Sequence, residues 1–141
     1  MDNKVTFRTF KEGDYEMVSK WWRWWWKGEI PVKKSLLPQD NRCFIIESDG
    51  VPVAASFLYV AGRESTLGYL TWTVSNYEYK ERNRRQMLEL LITSIEKEAE
   101  EVWGIRFLFT VCGNKHMENI HRKLDWYIED SGPAYECFKY F

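Results

Sequence analysis

An amphipathic stripe near the middle of the chain constrains the fold more than any other sequence feature. Its apolar side chains recur at three- and four-residue steps: Leu88, Leu91, Ile92, Ile95, Ala99 and Val102. This spacing predicts a long helix over residues 82–102, which ends at Gly104. The apolar run at residues 105–111 then predicts a strand buried on both faces. Strand, helix and strand in succession imply a parallel crossover pairing.

Three strands are predicted ahead of that helix. Asp49-Gly50 is a strong hairpin signal between apolar runs at residues 43–47 and 51–60. Residues 68–75 are rich in Tyr, Trp, Thr and Val, which predicts a third strand. Together the three form an antiparallel meander.

The ends of the chain add further elements. Residues 5–10 alternate apolar and polar side chains and predict a first strand. A helix follows over residues 15–27 and ends at Gly28. Near the other end, Asn114 is placed to cap a short helix that reaches about residue 123. Two closing strands are predicted at residues 126–129 and 134–141. At 141 residues we expect one domain, residues 1–141, of the α+β class with a mixed, mostly antiparallel sheet.

Composition excludes several functions. With 20 basic and 21 acidic residues interspersed, the chain favours neither nucleic acid nor an anionic membrane as a partner. No apolar run is long enough to span a bilayer, so we expect a cytoplasmic protein. Cys43, Cys112 and Cys137 are far apart in apolar runs and predict reduced, buried thiols. His116 and His121 are too few to predict a metal site.

Five tryptophans crowd the predicted first helix. Helical periodicity predicts that Trp22 faces the core together with Trp25 or Trp26. Trp21 and Trp24 are then expected to be more exposed. Exposed tryptophan and arginine are typical of protein interfaces, whereas aromatic walls are also typical of small-ligand pockets.

The order and spacing of these elements resemble the GNAT superfamily of N-acetyltransferases along nearly the whole chain. The hairpin ending V-P-V-A at residues 51–54 is similar to the family's meander, and residues 70–76 are similar to the strand beside the pantetheine arm. Residues 82–91 occupy the place of the pyrophosphate loop and its helix. Residues 114–126 are similar to the family's N-x-x-x-x-x-x-Y-x-K-x-G-F ending. With a Leu36-Leu37-Pro38 element, the tryptophan-rich helix looks most like small GNAT-like proteins of phages and metagenomes.

The resemblance implies acetyl transfer from acetyl-CoA to a small-molecule or protein amine, without a metal. The implied cofactor contacts are the residues at the matching positions: Thr73, Val74, Arg82, Asn83, Arg84, Arg85, Gln86 and Asn114. Residues 80–87 contain no glycine, unlike the family's phosphate-binding turn. The three arginines there either bind phosphate through their side chains or are a solvated first helical turn.

Two further roles follow from the resemblance. His121 lies where the family usually has a tyrosine that protonates the departing thiolate, and an imidazole titrates near enough to neutral pH to do this. The alternative is a partly buried histidine without a chemical task. Trp25 and Trp26 are expected to wall the acceptor site, because the end of the first helix lies there in GNAT folds.

Two functions remain open from the sequence. The first is a CoA-dependent N-acetyltransferase acting on an unidentified amine. The second is a catalytically silent GNAT-fold protein that binds a partner through its tryptophan-rich surface. The sequence leaves a homodimer open in either case.

Overall fold

The computed structural model describes residues 4–129, together with Cys137 and Lys139. The chain divides into two compact units, Met1–Val111 and Cys112–Phe141. The first unit holds a five-stranded sheet and two α-helices, and the described part of the second holds one helix. A single domain over residues 1–141 therefore stays a prediction.

The elements follow the predicted order, with bounds that differ by a few residues. They are β1 (Val5–Thr9), α1 (Asp14–Trp25), a 3₁₀ turn (Lys34–Leu36), β2 (Cys43–Ser48), β3 (Val51–Val60), β4 (Leu67–Ser75), α2 (Arg84–Glu101), β5 (Phe107–Phe109) and α3 (Lys115–Lys123).

The sheet has the strand order β1-β2-β3-β4-β5. The first three pairs are antiparallel, whereas β4 and β5 are parallel and are connected by α2. Asp49 and Gly50 join β2 to β3 with φ angles of 51° and 80°, as a tight hairpin requires. The predicted α+β fold with a mixed, mostly antiparallel sheet is confirmed.

The two long helices lie on opposite faces of the sheet. On one face α1 packs into a cluster of buried side chains: Val18, Trp21, Trp22, Val32, Leu37, Cys43, Ile45, Ala55, Phe57 and Val74. On the other face α2 contacts β2 and β3. Asn83, just before α2, approaches the hydroxyl of Ser48 at the end of β2. Neighbouring side chains on a strand point to opposite faces of the sheet, so Ser48 lies on the face opposite to that of Glu47. Both faces of the central strands are therefore covered.

A charged cluster connects β1, α1 and β2. The guanidinium of Arg8 forms a forked pair with the carboxylate of Asp14, with N–O distances of 2.6 and 3.2 Å. Its Nε also donates to Glu47 at 3.1 Å. Asp14 accepts a further hydrogen bond from the backbone N–H of Lys11 at 2.7 Å. This carboxylate therefore fixes the start of α1 against the sheet.

Strand β4 contains a bulge and then leaves its parallel neighbour. Trp72 has a φ of 53°, which is unusual for a bulky residue, and the β3–β4 register shifts at this point. The pairing with β5 covers only Leu67–Tyr69. One more contact follows, from the hydroxyl of Thr110 to the carbonyl of Leu70 at 2.6 Å. In the described part of the chain, residues 71–75 have no strand partner on that side, so the two parallel strands splay apart there.

The prediction for β5 is wrong in its length and burial. The strand spans Phe107–Phe109 rather than residues 105–111, and Phe107 is 64% exposed. Only the start of the run, Ile105, is buried. Its side chain packs closely against Gly68, because a Cβ atom added to that glycine would lie 3.3 Å from Ile105 Cγ2. Among the described residues β5 is the last strand of the sheet, and a continuous apolar run does not distinguish an edge strand from a central one.

The expected exposure of Trp21 is also wrong. Trp21 is 3% exposed and packs in the same cluster as Trp22. The buried face of α1 is therefore wider than the stripe that periodicity predicts, and Tyr77, just after β4, also packs against this cluster. Trp24 is 52% exposed, as predicted.

The second unit begins with the predicted cap. The side chain of Asn114 accepts a hydrogen bond from the backbone N–H of Met117 at 2.9 Å, which confirms the start of α3. The strand predicted at residues 126–129 is wrong, because Trp126 donates its backbone N–H to His121 and extends the helix end instead. The strand predicted at residues 134–141 lies outside the described residues apart from Cys137 and Lys139.

Candidate functional site

The first turn of α2 places one arginine against the end of β4. The guanidinium of Arg84 donates from Nη2 to the hydroxyl of Ser75 at 2.6 Å. Burial lowers the pKa of Arg84, and no carboxylate in the described residues raises it again. The side chain nevertheless stays charged at neutral pH, since arginine titrates far above 7. A partly buried cation without an anion is therefore present at this helix start.

Trp25 forms the platform beneath that cation. The guanidinium carbon of Arg84 lies 5.0 Å from the centre of the Trp25 ring, within the range of a cation–π contact. The indole Nε1 of Trp25 donates to the carbonyl of Ser75 at 2.7 Å. The adjacent Trp24 instead stacks flat on Tyr77, with ring centres 4.9 Å apart. The end of α1, the end of β4 and the start of α2 thus meet in one cluster.

The backbone at the start of α2 adds hydrogen-bond donors. The N–H groups of Arg85 and Gln86 have no hydrogen-bond partner among the described residues. No acidic residue lies in the first turn of α2 to offset its partial positive charge. Two free N–H groups and one unpaired guanidinium therefore favour an anion at this point.

The loop between β4 and α2 explains why glycine is absent. No residue from 76 to 87 has a positive φ, so the backbone takes no conformation that requires glycine. Asn76 fixes the loop, because its side chain donates to the carbonyl of Pro52 at 2.9 Å and accepts from the N–H of Glu78 at 2.9 Å. The absence of glycine therefore causes no left-handed backbone strain in this loop.

The remaining predicted residues of this turn lie in different environments. Arg82 and Gln86 are exposed, and Arg85 pairs with Glu89 on its own helix at 3.5 Å. The side-chain oxygen of Asn83 accepts a short hydrogen bond from Tyr79. Of the three arginines, the structure therefore places only Arg84 in the cluster with Trp25.

Thr73 and Val74 lie on the splayed part of β4, as predicted. The hydroxyl of Thr73 shares a hydrogen bond with that of Ser56 at 2.7 Å, and Val74 is buried in the α1 cluster. Both side chains are occupied, so only their backbone groups can meet a ligand. Trp26, expected at the acceptor site, stacks on Trp22 with ring centres 5.8 Å apart and is half-buried.

His121, in the second unit, is 3% exposed. Its Nδ1 lies 2.7 Å from the carbonyl oxygen of Met117, so Nδ1 carries the proton and donates it. Burial lowers the pKa of His121. The other nitrogen, Nε2, is buried without a hydrogen-bond partner among the described residues. The imidazole is thus neutral at pH 7, with a free lone pair on Nε2.

The neighbour of His121 was not predicted from the sequence. The sulfur of Cys112 lies 3.6 Å from Nδ1 of His121. Because Nδ1 is protonated and donates its hydrogen bond to the Met117 carbonyl, it cannot act as a base toward this thiol. Burial moreover raises the pKa of Cys112, so the pair is not an activated nucleophile. Cys112 and His121 are nine positions apart in the sequence, and that spacing gave no signal of the contact.

The other cysteines differ from one another in burial. All three cysteines are unpaired. Burial raises the pKa of the Cys43 thiol to about 11, which confirms an inert buried thiol. Cys137 is exposed, so its predicted burial is wrong. Within the described residues there is no group of three or more side chains that could hold a metal ion, and no helix there is long and apolar enough to cross a membrane.

No family model and no curated protein matches the chain. Solved structures do match it. An aminoglycoside acetyltransferase from an uncultured soil metagenomic sample, meta-AAC0020 in complex with trehalose, superposes with a TM-score of 0.70. It shares 15% identity, over 96% of this chain and 97% of that one. The chain has the GNAT fold.

Two further structures with the GNAT fold have CoA or a CoA analogue bound. The aminoglycoside N-acetyltransferase AAC(6')-Iy, in complex with the bisubstrate analogue CoA-S-monomethyl-acetylneamine, has a TM-score of 0.66 and 16% identity, over 96% of this chain and 99% of that one. N-acetylglutamate synthase from Neisseria gonorrhoeae, complexed with coenzyme A and N-acetyl-glutamate, has a TM-score of 0.56 and 16% identity, over 86% of this chain and 28% of that one. At these identities the likeness establishes the fold alone.

Proposed function

We propose that the chain is an N-acetyltransferase that moves acetyl from acetyl-CoA to an amine. The observation that carries this proposal is the unpaired guanidinium of Arg84 beside the free N–H groups of Arg85 and Gln86. These groups fit a pyrophosphate, because charge-assisted hydrogen bonds to arginine and helix N-terminal N–H groups are the usual contacts of phosphates. CoA-bound structures with the same fold support the choice of ligand.

The splayed end of β4 fits the rest of the cosubstrate. The backbone groups of residues 71–75 have no strand partner on the β5 side among the described residues. The carbonyls of Trp72 and Ser75 accept the indole N–H groups of Trp22 and Trp25, so the backbone between them, at Thr73 and Val74, is the part that can pair with an extended, amide-containing chain. The pantetheine arm of CoA is such a chain. Thr73 and Val74 would bind it through their backbone, because their side chains are engaged elsewhere.

The reaction forms a C–N bond, breaks the C–S bond and moves one proton from nitrogen to sulfur. His121 is the residue proposed to handle that proton. Because its imidazole is neutral with a free Nε2, it would first accept a proton there and then release it to the thiolate. Acetyl-CoA supplies the activated acetyl group, and no metal is required by this chemistry.

The acceptor is proposed only as an amine. The meta-AAC0020 structures with trehalose and with sisomicin have the same fold, which makes aminoglycosides reasonable first members of a test panel. A panel that also contains polyamines and peptide N-termini would sample the remaining amine classes. Release of free CoA thiol reports turnover with each member.

Calorimetric titration with acetyl-CoA tests the proposal directly. We expect Arg84→Gln to weaken binding at least tenfold, because hydrogen bonds to charged groups contribute about 1.5–3 kcal/mol. Arg63→Gln is the matched control, since it removes the same charge from the turn before β4, at the strand's opposite end. Arg85→Gln should have a smaller effect, because Arg85 already pairs with Glu89. If the wild type does not bind acetyl-CoA even at millimolar concentration, the transferase function is excluded.

The alternative is a binding protein without catalysis. Trp24 and Trp25 are 52% and 40% exposed beside Arg84, a composition typical of interface hot spots. This function is favoured if acetyl-CoA does not bind. It is excluded if free thiol is released with any amine of the panel.

A further inference from the structure

We propose that Trp25 is a positioning residue for the phosphates of the acyl donor, and that the Trp25–Arg84 pair takes over the task of a glycine-rich turn. This inference rests on the proposed function and concerns the same site. It differs from the expectation that Trp25 walls the acceptor pocket.

The first step is that Trp25 is itself fixed. Its indole Nε1 donates to the carbonyl of Ser75 at 2.7 Å, which ties the ring to the last residue of β4. The edge of the neighbouring Trp24 ring lies against it, with ring centres 4.7 Å apart and an interplanar angle of 83°. A ring held on two sides offers a constant surface to whatever lies on it.

The second step is that Trp25 fixes Arg84. The guanidinium lies over the indole ring at 5.0 Å and donates from Nη2 to the Ser75 hydroxyl at 2.6 Å. The carbonyl and the hydroxyl of one residue, Ser75, therefore hold both partners. A long, flexible arginine side chain thus has one defined position before any ligand binds, which reduces the ordering cost of binding.

The third step is that this position leaves donors available. A guanidinium has five N–H groups, and a ring contact uses its face rather than its edge. The guanidinium of Arg84 donates no hydrogen bond other than that to Ser75 among the described residues. The remaining N–H groups can bind phosphate oxygens, whereas in a glycine-rich turn the backbone would do so. Recognition of the donor then depends on one charge and on the ring beneath it.

The experiment compares Trp25→Leu, Trp25→Phe and the control Trp103→Leu. Trp103, just after α2, also lies under an arginine, with the guanidinium carbon of Arg42 4.9 Å from its ring centre, so the control removes a contact of the same kind away from Arg84. Affinities are measured by calorimetry for acetyl-CoA and for S-acetylpantetheine, which lacks every phosphate. We expect Trp25→Leu to weaken acetyl-CoA binding about tenfold and to leave S-acetylpantetheine unchanged. Trp25→Phe keeps a ring face but loses the N–H that donates to Ser75, so it should recover only part of the affinity.

A double-mutant cycle separates positioning from general damage. In an Arg84→Gln background, Trp25→Leu should cause no further loss, because the residue that it positions is gone. Thermal unfolding is recorded for each variant. If Trp25→Leu does not fold, Trp25→Met replaces it. Methionine is apolar and offers no ring face to Arg84, so it should show the same tenfold loss.

The outcomes distinguish this inference from the function on which it rests. If wild-type protein does not bind acetyl-CoA, the transferase and the role of Trp25 both fail. If it binds and Trp25→Leu matches Trp103→Leu, only the role of Trp25 fails. An equal loss for the two donors, or additive losses in the cycle, would also overturn the role, because the effect would then not pass through the phosphates.

Discussion

The Nδ1 atom of His121 lies 2.7 Å from the carbonyl oxygen of Met117, one helical turn earlier on α3. This hydrogen bond selects the tautomer, and burial then lowers the pKa of the imidazole from its ordinary value of 6.5. The unfolded chain therefore binds a proton on His121 at a pH where the folded protein does not. Acid consequently favours unfolding through this residue.

We expect the free energy of unfolding to fall as the pH drops below about 6.5, and this contribution to level off below the lowered pKa of the folded state. His121→Gln should flatten the dependence, as followed by urea denaturation between pH 5 and 8. His116→Gln, on the same helix but exposed, is the control and should keep the wild-type slope. An unchanged slope in His121→Gln would show that other groups cause the acid sensitivity.

Replacing the carboxylate at the start of α1 should destabilise the protein. Asp14→Asn removes the charge that Arg8 contacts at 2.6 Å, with only 6% of the Asp14 side chain exposed. We expect a loss of about 2 kcal/mol in the free energy of unfolding, since the guanidinium keeps only Glu47 as a charged partner. Glu118→Gln weakens surface pairs with Lys115 and Arg122 and should change stability much less, because exposed ion pairs contribute little. Equal effects from the two substitutions would contradict the assigned role of Asp14.

Two adjacent leucines of α2 give a matched test of packing. Leu91 is 0% exposed and Leu90 is 42% exposed. Leu91→Ala should lower the free energy of unfolding by about 3 kcal/mol, because it removes transfer energy and leaves a cavity. Leu90→Ala should cost less than about 1 kcal/mol, as measured by chemical denaturation. A reversed order would mean that the face of α2 that packs on the sheet is incorrectly assigned.

Asn114 has two candidate roles that substitutions can separate. As the cap of α3 it accepts the N–H of Met117, and Asn114→Ala should lower stability by about 1 kcal/mol. Asn114→Asp keeps a capping oxygen and should restore stability. If Asn114→Asp also keeps acetyl-CoA affinity, the residue acts on the cofactor only through the helix. Lost affinity with restored stability would instead indicate a direct contact through the amide.

Much of the fold was predictable because local signals agreed with it. The hairpin at Asp49-Gly50 requires positive φ at both residues, and strand β3 has the predicted bounds Val51–Val60. The capping role of Asn114 follows from its side chain alone. Each of these features depends on interactions between residues close in sequence, which a single sequence displays directly.

The candidate site was less predictable because its contacts join distant residues. Trp25 and Arg84 lie on different helices and meet only because both reach Ser75. Periodicity likewise missed the burial of Trp21, whose cluster includes side chains from β2, β3 and β4. The sequence therefore indicated which residue types could bind phosphate, but it could not select Arg84 from its two neighbours.

The absence of left-handed backbone in residues 76–87 affects how proteins of this kind can be found. A search profile that weights glycine at the start of the second long helix would give such chains low scores, although the fold is intact. The informative pattern is instead an aromatic residue near the end of the first helix combined with an arginine at the first position of the second. Sequences in which those two positions vary together would form a class recognised by side chains rather than by glycine. Bulky substitutions elsewhere in the loop would be tolerated in that class.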